Sequence, residues 1–233
     1  MEKKNIDWSN LGFGYVQTDK RFVANFKDGA WDEGTLTEDP NIVLNECAGV
    51  LQYAQTVFEG MKAYRTADGS IQLFRPDKNM ARMNVSCERL CIPKIDEEFA
   101  IKAIKTLVEV DKDWVPSLDG TSLYIRPYIF ATDAHVGVHP AKHLTFAIIL
   151  SPVGAYYPQG IAPVKIFVEQ KYVRAVIGGT GFTKAGANYA ISLKGQEEAA
   201  EQGYVQTLWL DGVERKYVEE VGSMNVFFKI DGE

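Results

Sequence analysis

The stretch QTVFEGMKAYRTADGSIQLFRPDKNMARMNVS, residues 55–86, carries the pattern that fixes the fold class. MKAYR and IQLF are two short apolar runs, and between them lies Asp68-Gly69, a pair suited to the left-handed backbone of a hairpin turn. Pro76 then stands where a helix can open, because the amide hydrogen it lacks would have no partner in a first turn. From there Met80, Met83, Cys87, Leu90 and Cys91 recur at helical spacing, and Pro93 is expected to end the run. Strand, turn, strand and helix follow one another without the regular alternation of a parallel sheet. That is the α+β pattern.

The flanking sequence extends it. Asp28-Gly29 marks another hairpin, and Asp96 to Val110 reads as a helix with Ala100, Ala103, Ile104, Leu107 and Val108 on its apolar stripe. SLYIRPYIF and LTFAIIL read as strands, followed by SPVGAYYPQGIAP, which has no periodicity and many glycines and prolines. We therefore expect a small domain over residues 1–152, an interdomain loop over 153–164 and a second domain from 165 to 233. The second opens with strand-like VKIFVEQ and the loop GGTGFTKAGAN, residues 178–188. A helix is expected from Tyr189 to about Gln202, closed by Gly203, then hairpins at Asp211-Gly212 and Asp231-Gly232.

Composition excludes several classes. The 233 residues are 46% hydrophobic and 24% charged, with net charge −6 and no basic run, which argues against a nucleic-acid partner. Apolar stretches such as Leu144 to Leu150 are too short for a bilayer, and MEKKNIDW has no signal-peptide core. Cys47, Cys87 and Cys91 form neither a CxxC nor a metal set; Cys87 and Cys91, at i and i+4, are expected to be buried core thiols. The expected compartment is reducing and cytoplasmic.

Four constellations have a chemical reading beside an ordinary one. Lys184 lies within a run with four glycines in nine residues, where the backbone can approach a bound group closely. Neither the dinucleotide fingerprint nor the P-loop fits. Position just ahead of a helix, with partial burial, would favour the neutral amine a Schiff base needs, though by spacing alone an exposed loop lysine is the more ordinary reading. On SLYIRPYIF, Leu123, Ile125 and Ile129 share one face, while Tyr124, Arg126, Tyr128 and Phe130 share the other. An arginine among aromatics suits a pocket for a carboxylate and an apolar chain; an edge strand with a solvated arginine is the alternative. Arg82 aligns with Lys78, Ser86 and Arg89 as a solvated cationic face, with an anion site as the minority reading, and Glu219-Glu220 is by itself only an acidic pair. His135, His139 and His143 would line one face of a helix, but Gly137 and Pro140 interrupt any helix here, so no metal site is expected.

Taken in order, QTVFEGMKAYRTADGSIQLFRPDKNMARMNVS, SLYIRPYIF, SPVGAYYPQG, GGTGFTKAGANYA and YVEEVGSMNVF resemble the branched-chain amino acid aminotransferases of the fold-type IV, pyridoxal 5′-phosphate-dependent class. The likeness runs from about Trp8 to Glu233. It implies a small N-terminal α/β domain and a larger β-rich C-terminal domain. It implies transamination of leucine, isoleucine and valine with 2-oxoglutarate, giving branched 2-oxo acids and L-glutamate. Lys184 matches the lysine that carries the cofactor and moves the proton. Glu220 matches the carboxylate facing the pyridine nitrogen, Tyr189 the tyrosine at the ring's phenolic oxygen, and Arg82 the phosphate-binding arginine. Ser223 falls among the cofactor-binding positions. Tyr53, Phe58, Tyr124 and Tyr156 match the substrate-pocket walls, and Arg126 the arginine that accepts the glutamate side chain. Val136 and Val138 match a loop reaching into the partner subunit's site, which implies a homodimer. No nucleic-acid or membrane partner is implied.

Family members continue beyond the point matched by Glu233, so the resemblance also implies an incomplete second domain and weak cofactor binding by a chain ending there. D-amino acid aminotransferase and aminodeoxychorismate lyase share the lysine and the glutamate. A non-catalytic binding or interaction module of the same fold is the alternative from another class.

Overall fold

A computed structural model describes residues 6–157, 160, 162–222 and 224–233. The chain divides into two compact units, Met1–Ile161 and Ala162–Glu233, and each is described by itself.

The first unit contains β1 (Arg21–Lys27), β2 (Ala30–Trp31), β3 (Thr35–Thr37), α1 (Gly49–Tyr53), β4 (Thr56–Phe58), β5 (Met61–Arg65) and β6 (Ile71–Leu73). After them come α2 (Pro76–Arg89), α3 (Glu97–Val110), β7 (Ser122–Ala131) and β8 (Leu144–Val153). Among the described residues eight strands form one antiparallel sheet in the order β2-β1-β8-β7-β5-β6, with β3 beside β1 and β4 beside β7. Lys27 pairs with Ala30 across Asp28-Gly29, and Arg65 with Ile71 across the turn holding Asp68-Gly69. β7 and β8 stay in register from Ser122↔Val153 to Ala131↔Leu144. β7 is thus flanked on both sides, and the edge-strand reading of Arg126 does not hold.

The buried face of β7, Leu123, Ile125 and Ile129, packs with Met80 and Met83 of α2 and with Ile104 and Leu107 of α3 in one apolar core. The period-two and period-3.6 patterns meet there because each presents a single apolar side. Asp96 caps α3, its Oδ1 accepting from Phe99 N at 2.7 Å.

Helix α2 ends at Arg89, four residues before Pro93, and the expectation of two buried thiols fails with it. Ile92 N donates to Cys87 O (2.9 Å) and Cys91 N to Glu88 O (3.3 Å), the paired bonds of a Schellman cap. Cys91 occupies the cap's left-handed position at φ 54°, so it is exposed while Cys87 is buried. Ser86 is also buried, its Oγ donating to Arg82 O at 3.1 Å, so Arg82 does not belong to a wholly solvated face.

The second unit contains β9 (Ile166–Glu169), α4 (Gly186–Ala190), α5 (Leu193–Glu201), β10 (Gln206–Leu210) and β11 (Val218–Val221). The sheet order is β11-β10-β9, with β9 parallel and β11 antiparallel to β10. The single helix expected from Tyr189 to Gln202 is two. Ser192 Oγ donates to Tyr189 O (2.8 Å) and accepts from Gln196 Nε2 (2.6 Å), so its hydroxyl competes with the backbone ladder where α4 stops. Gly203, at φ 81°, closes α5. At Asp231-Gly232, Ile230 and Glu233 exchange backbone hydrogen bonds of 2.9 and 3.0 Å. Among the described residues no helix is long and apolar enough to cross a membrane.

Candidate functional site

In the second unit the glycine-rich loop is closed from within by Asn188. Its buried carboxamide donates to Thr180 O and Thr183 O, both at 2.8 Å, and accepts from Thr180 Oγ1 at 2.7 Å. Every polar atom of that side chain is used, so the turn ahead of Lys184 has one arrangement. Lys184 follows, half-buried, and its Nζ donates to Tyr189 Oη at 2.6 Å while lying 5.1 Å from the ring centroid. The two are five positions apart, and the turn of α4 brings the phenol to the amine.

Glu220 sits on β11 opposite Trp209 of β10. Its Oε2 lies 3.5 Å from Arg174 Nη1, and Arg174 is largely buried. Ser223, expected beside it, lies outside the described residues.

In the first unit Arg82, reaching from α2, meets Glu59 just after β4. Its Nε donates to Oε1 at 2.6 Å and its Nη2 to Oε2 at 2.8 Å, a two-pronged pair. Glu59 has 0% of its surface exposed and also accepts from Asn79 Nδ2 at 2.9 Å. The guanidinium is therefore oriented by a buried carboxylate.

The polar face of β7 forms a second group. Arg126 donates from Nε (3.1 Å) and Nη2 (2.5 Å) to Tyr124 Oη, and its guanidinium carbon lies 4.5 Å from the centre of the Phe58 ring. A cavity of about 240 Å³ is lined there by Phe13, Tyr15, Tyr124, Arg126, Ile149 and Val153. Tyr156 reaches this group through Phe13, whose ring contacts both Tyr156 (5.2 Å) and Tyr124 (5.4 Å). A guanidinium seated on aromatic faces is partly desolvated yet keeps N–H groups for a carboxylate.

Tyr53, at the end of α1, stacks on His135 at 5.5 Å and donates from its hydroxyl to Val136 O. Val136 and Val138 are 76% and 82% exposed. The loop that carries them brings Asp133, His135 and His139 together although it is not a helix; His143 is not in that group.

Four residues escaped sequence reasoning. Glu59 had a signal, a carboxylate set among Val57, Phe58 and Gly60, but its partner is 23 residues away. Asn188 stood beside a helix start, a position where Asn side chains bond backbone groups. Arg174 and Asp133 had none.

Residues 56–233 match the family model of amino-transferase class IV. The chain is 52% identical over 233 residues to branched-chain-amino-acid transaminase 1 of Bacillus subtilis (strain 168), covering 99% of this chain and 65% of that protein. Against branched-chain-amino-acid aminotransferase 2 of the same organism the identity is 53%, covering 100% and 64%. The chain thus spans just under two thirds of the length of these relatives. Among solved structures, the Escherichia coli branched-chain amino acid aminotransferase superposes with a TM-score of 0.72 at 23% identity, over 88% of this chain and 63% of that one. The T.th. branched-chain amino acid aminotransferase with pyridoxamine 5′-phosphate gives 0.69 at 24% identity, over the same shares.

Proposed function

The chain belongs to the class IV amino-transferase family, with the α+β architecture of fold type IV, and on that premise we propose that it transaminates branched-chain L-amino acids using pyridoxal 5′-phosphate. Leucine, isoleucine or valine would give up its amino group to 2-oxoglutarate, yielding a branched 2-oxo acid and L-glutamate. The observation that carries this reading is the Lys184 amine, half-buried on a glycine-rich loop and held 2.6 Å from the Tyr189 hydroxyl.

The donor set fits such a cofactor: a primary amine, an adjacent phenol and a carboxylate beside a largely buried guanidinium. The bound cofactor would supply an aldehyde and an electron-withdrawing ring. Lys184 Nζ then takes the proton at the substrate Cα, a positioned transfer that typically contributes about 10²–10⁴ in rate. Tyr189 Oη directs that amine. Glu220 would keep a ring nitrogen protonated, with Arg174 fixing the carboxylate. Arg82 would bind the phosphate, its guanidinium aimed by Glu59.

Phe58, Tyr124 and Tyr156 would form apolar walls for the aliphatic side chain, with Tyr53 beside them. Arg126 answers the need for the same pocket to take glutamate, because an unpaired carboxylate among apolar groups costs several kcal/mol. Arg126→Ala should slow the glutamate half-reaction far more than the leucine one; equal harm to both would remove the selective role. The exposure of Val136 and Val138 supports a homodimer in which that loop meets a second copy. The three free cysteines support a reducing, cytoplasmic setting.

Borohydride reduction in the presence of pyridoxal phosphate, followed by peptide mass analysis, tests the reading. A pyridoxyl adduct on the Lys184 peptide of the full-length protein is expected, and its absence there overturns the proposal. A panel of L-leucine, D-alanine and aminodeoxychorismate then separates this activity from others on the same fold.

A further inference from the structure

The loop between β7 and β8 holds a second set of groups that the transamination reading does not use. We propose that Asp133, His135 and His139 bind a divalent transition-metal ion of borderline softness, zinc being the representative case.

One donor atom from each of the three residues lies within 4.8 Å of the others. The backbone around them is pinned: Gly49 N donates to Asp133 O (3.1 Å), His135 N to Cys47 O (3.0 Å) and Thr132 N to His143 O (3.0 Å). Each imidazole is also oriented. His135 Nδ1 lies 2.7 Å from Gly137 O, and His139 Nδ1 lies 3.0 Å from Pro140 O. A carbonyl only accepts, so Nδ1 carries the proton in both rings and Nε2 keeps its lone pair. That outer-shell arrangement fixes the tautomer and ring direction of metal-binding histidines.

The electron pairs so presented lack partners. His135 Nε2 and Asp133 Oδ1 are both shut off from solvent without a hydrogen bond, while Asp133 Oδ2 is held by Lys142 N at 3.1 Å. Leaving such acceptors buried and unsatisfied is destabilising, and a cation would satisfy both. Gly49 keeps the lone pair clear, since a Cβ there would stand 2.6 Å from His135 Nε2. Two imidazoles and one carboxylate form a donor set that suits zinc, with water as fourth ligand. Bonds of about 2.0–2.1 Å require donor atoms about 3.3 Å apart. His139 is exposed and can swing to close that gap, opening the tilted ring pair from its 4.0 Å centroid separation.

The test is calorimetric titration of the full chain with Zn²⁺, and Co²⁺ absorption as a reporter of the ligands. One ion per chain is expected, with a tetrahedral visible band and no thiolate charge-transfer band. His139→Ala and Asp133→Asn should each weaken binding by at least about 10–100-fold, since that much is lost when only an outer-shell partner of a ligand goes. His143→Ala, outside the cluster, should bind as the parent does. Asp133→Asn keeps an oxygen for Lys142 N, and His139 is exposed, so both variants should keep the parent's circular dichroism and melting temperature. No saturable binding, unchanged affinity in His139→Ala, equal loss in His143→Ala, or a thiolate band placing the ion on cysteine would each overturn the site.

Discussion

Removing Arg82 tests how the guanidinium proposed for the phosphate is held. In Arg82→Ala the Glu59 carboxylate, fully buried, loses two charge-assisted hydrogen bonds of 2.6 and 2.8 Å. Such bonds contribute about 1.5–3 kcal/mol each, an upper total near 3–6 kcal/mol. Two features lower it. The Arg82 side chain is 51% exposed, so part of the attraction is screened by water that can also enter when the side chain goes. Glu59 also keeps Asn79 Nδ2 at 2.9 Å and Gly60 N at 3.3 Å. We expect a loss of about 2–3 kcal/mol, which for a unit of this size is a melting shift of roughly 5–10 °C.

Glu59→Gln should cost less, about 1–2 kcal/mol, because the guanidinium it releases can rehydrate while the amide keeps the shape of the side chain. The double variant should be milder than the sum of the singles, with a coupling of at least about 1 kcal/mol. Differential scanning calorimetry measures the three losses, and hydrogen exchange across α2 and β4 localises them. Strict additivity, or an Arg82→Ala loss under about 0.5 kcal/mol, would show that the pair does not hold the two elements together.

Burial pushes the Cys87 thiol up to about 12, so thiolate is scarce at neutral pH. Iodoacetamide on the native protein should label exposed Cys91 and leave Cys87 intact until denaturant is added; equal rates would contradict the packing of α2. Asp96→Ala removes the cap on α3 and should cost about 1 kcal/mol by urea denaturation; no loss would mean that Phe99 N finds water as readily. Asp211 accepts from Tyr217 N and Lys216 N at 2.8 Å and from Glu214 N at 2.6 Å, and these bonds hold its carboxyl well below the ordinary range. A depressed value means that stabilisation is present above the unfolded group's range, near pH 4, and is lost only as pH falls through the lower folded value. Exchange at the Glu214, Lys216 and Tyr217 amides should therefore stay protected down to about pH 3, whereas Asp211→Asn should lose that protection at every pH.

The sequence alone specified the features that depend on neighbours along the chain. The Asp-Gly turns, the Pro76 opening of α2, the Asp96 cap and stripe of α3, and the two faces of β7 are set by local backbone preference and side-chain period. The ordered motifs did the same for the family, because Lys184 and Tyr189 are only five residues apart on one loop and helix. Local rules failed where two competed: the Schellman cap stopped α2 before Pro93, and the Ser192 hydroxyl divided the helix after Lys184.

Tertiary structure settled the pairings whose partners are remote in sequence. Glu59 became the buried anchor of Arg82, Arg174 the neighbour of Glu220, and Phe58 the seat of Arg126, 68 residues on. Asp133, His135 and His139 came together on a loop that no helical period describes. The physical reason is common to all of them. Charge and lone-pair interactions act over a few ångströms, so they select partners only after apolar packing has brought distant segments into contact.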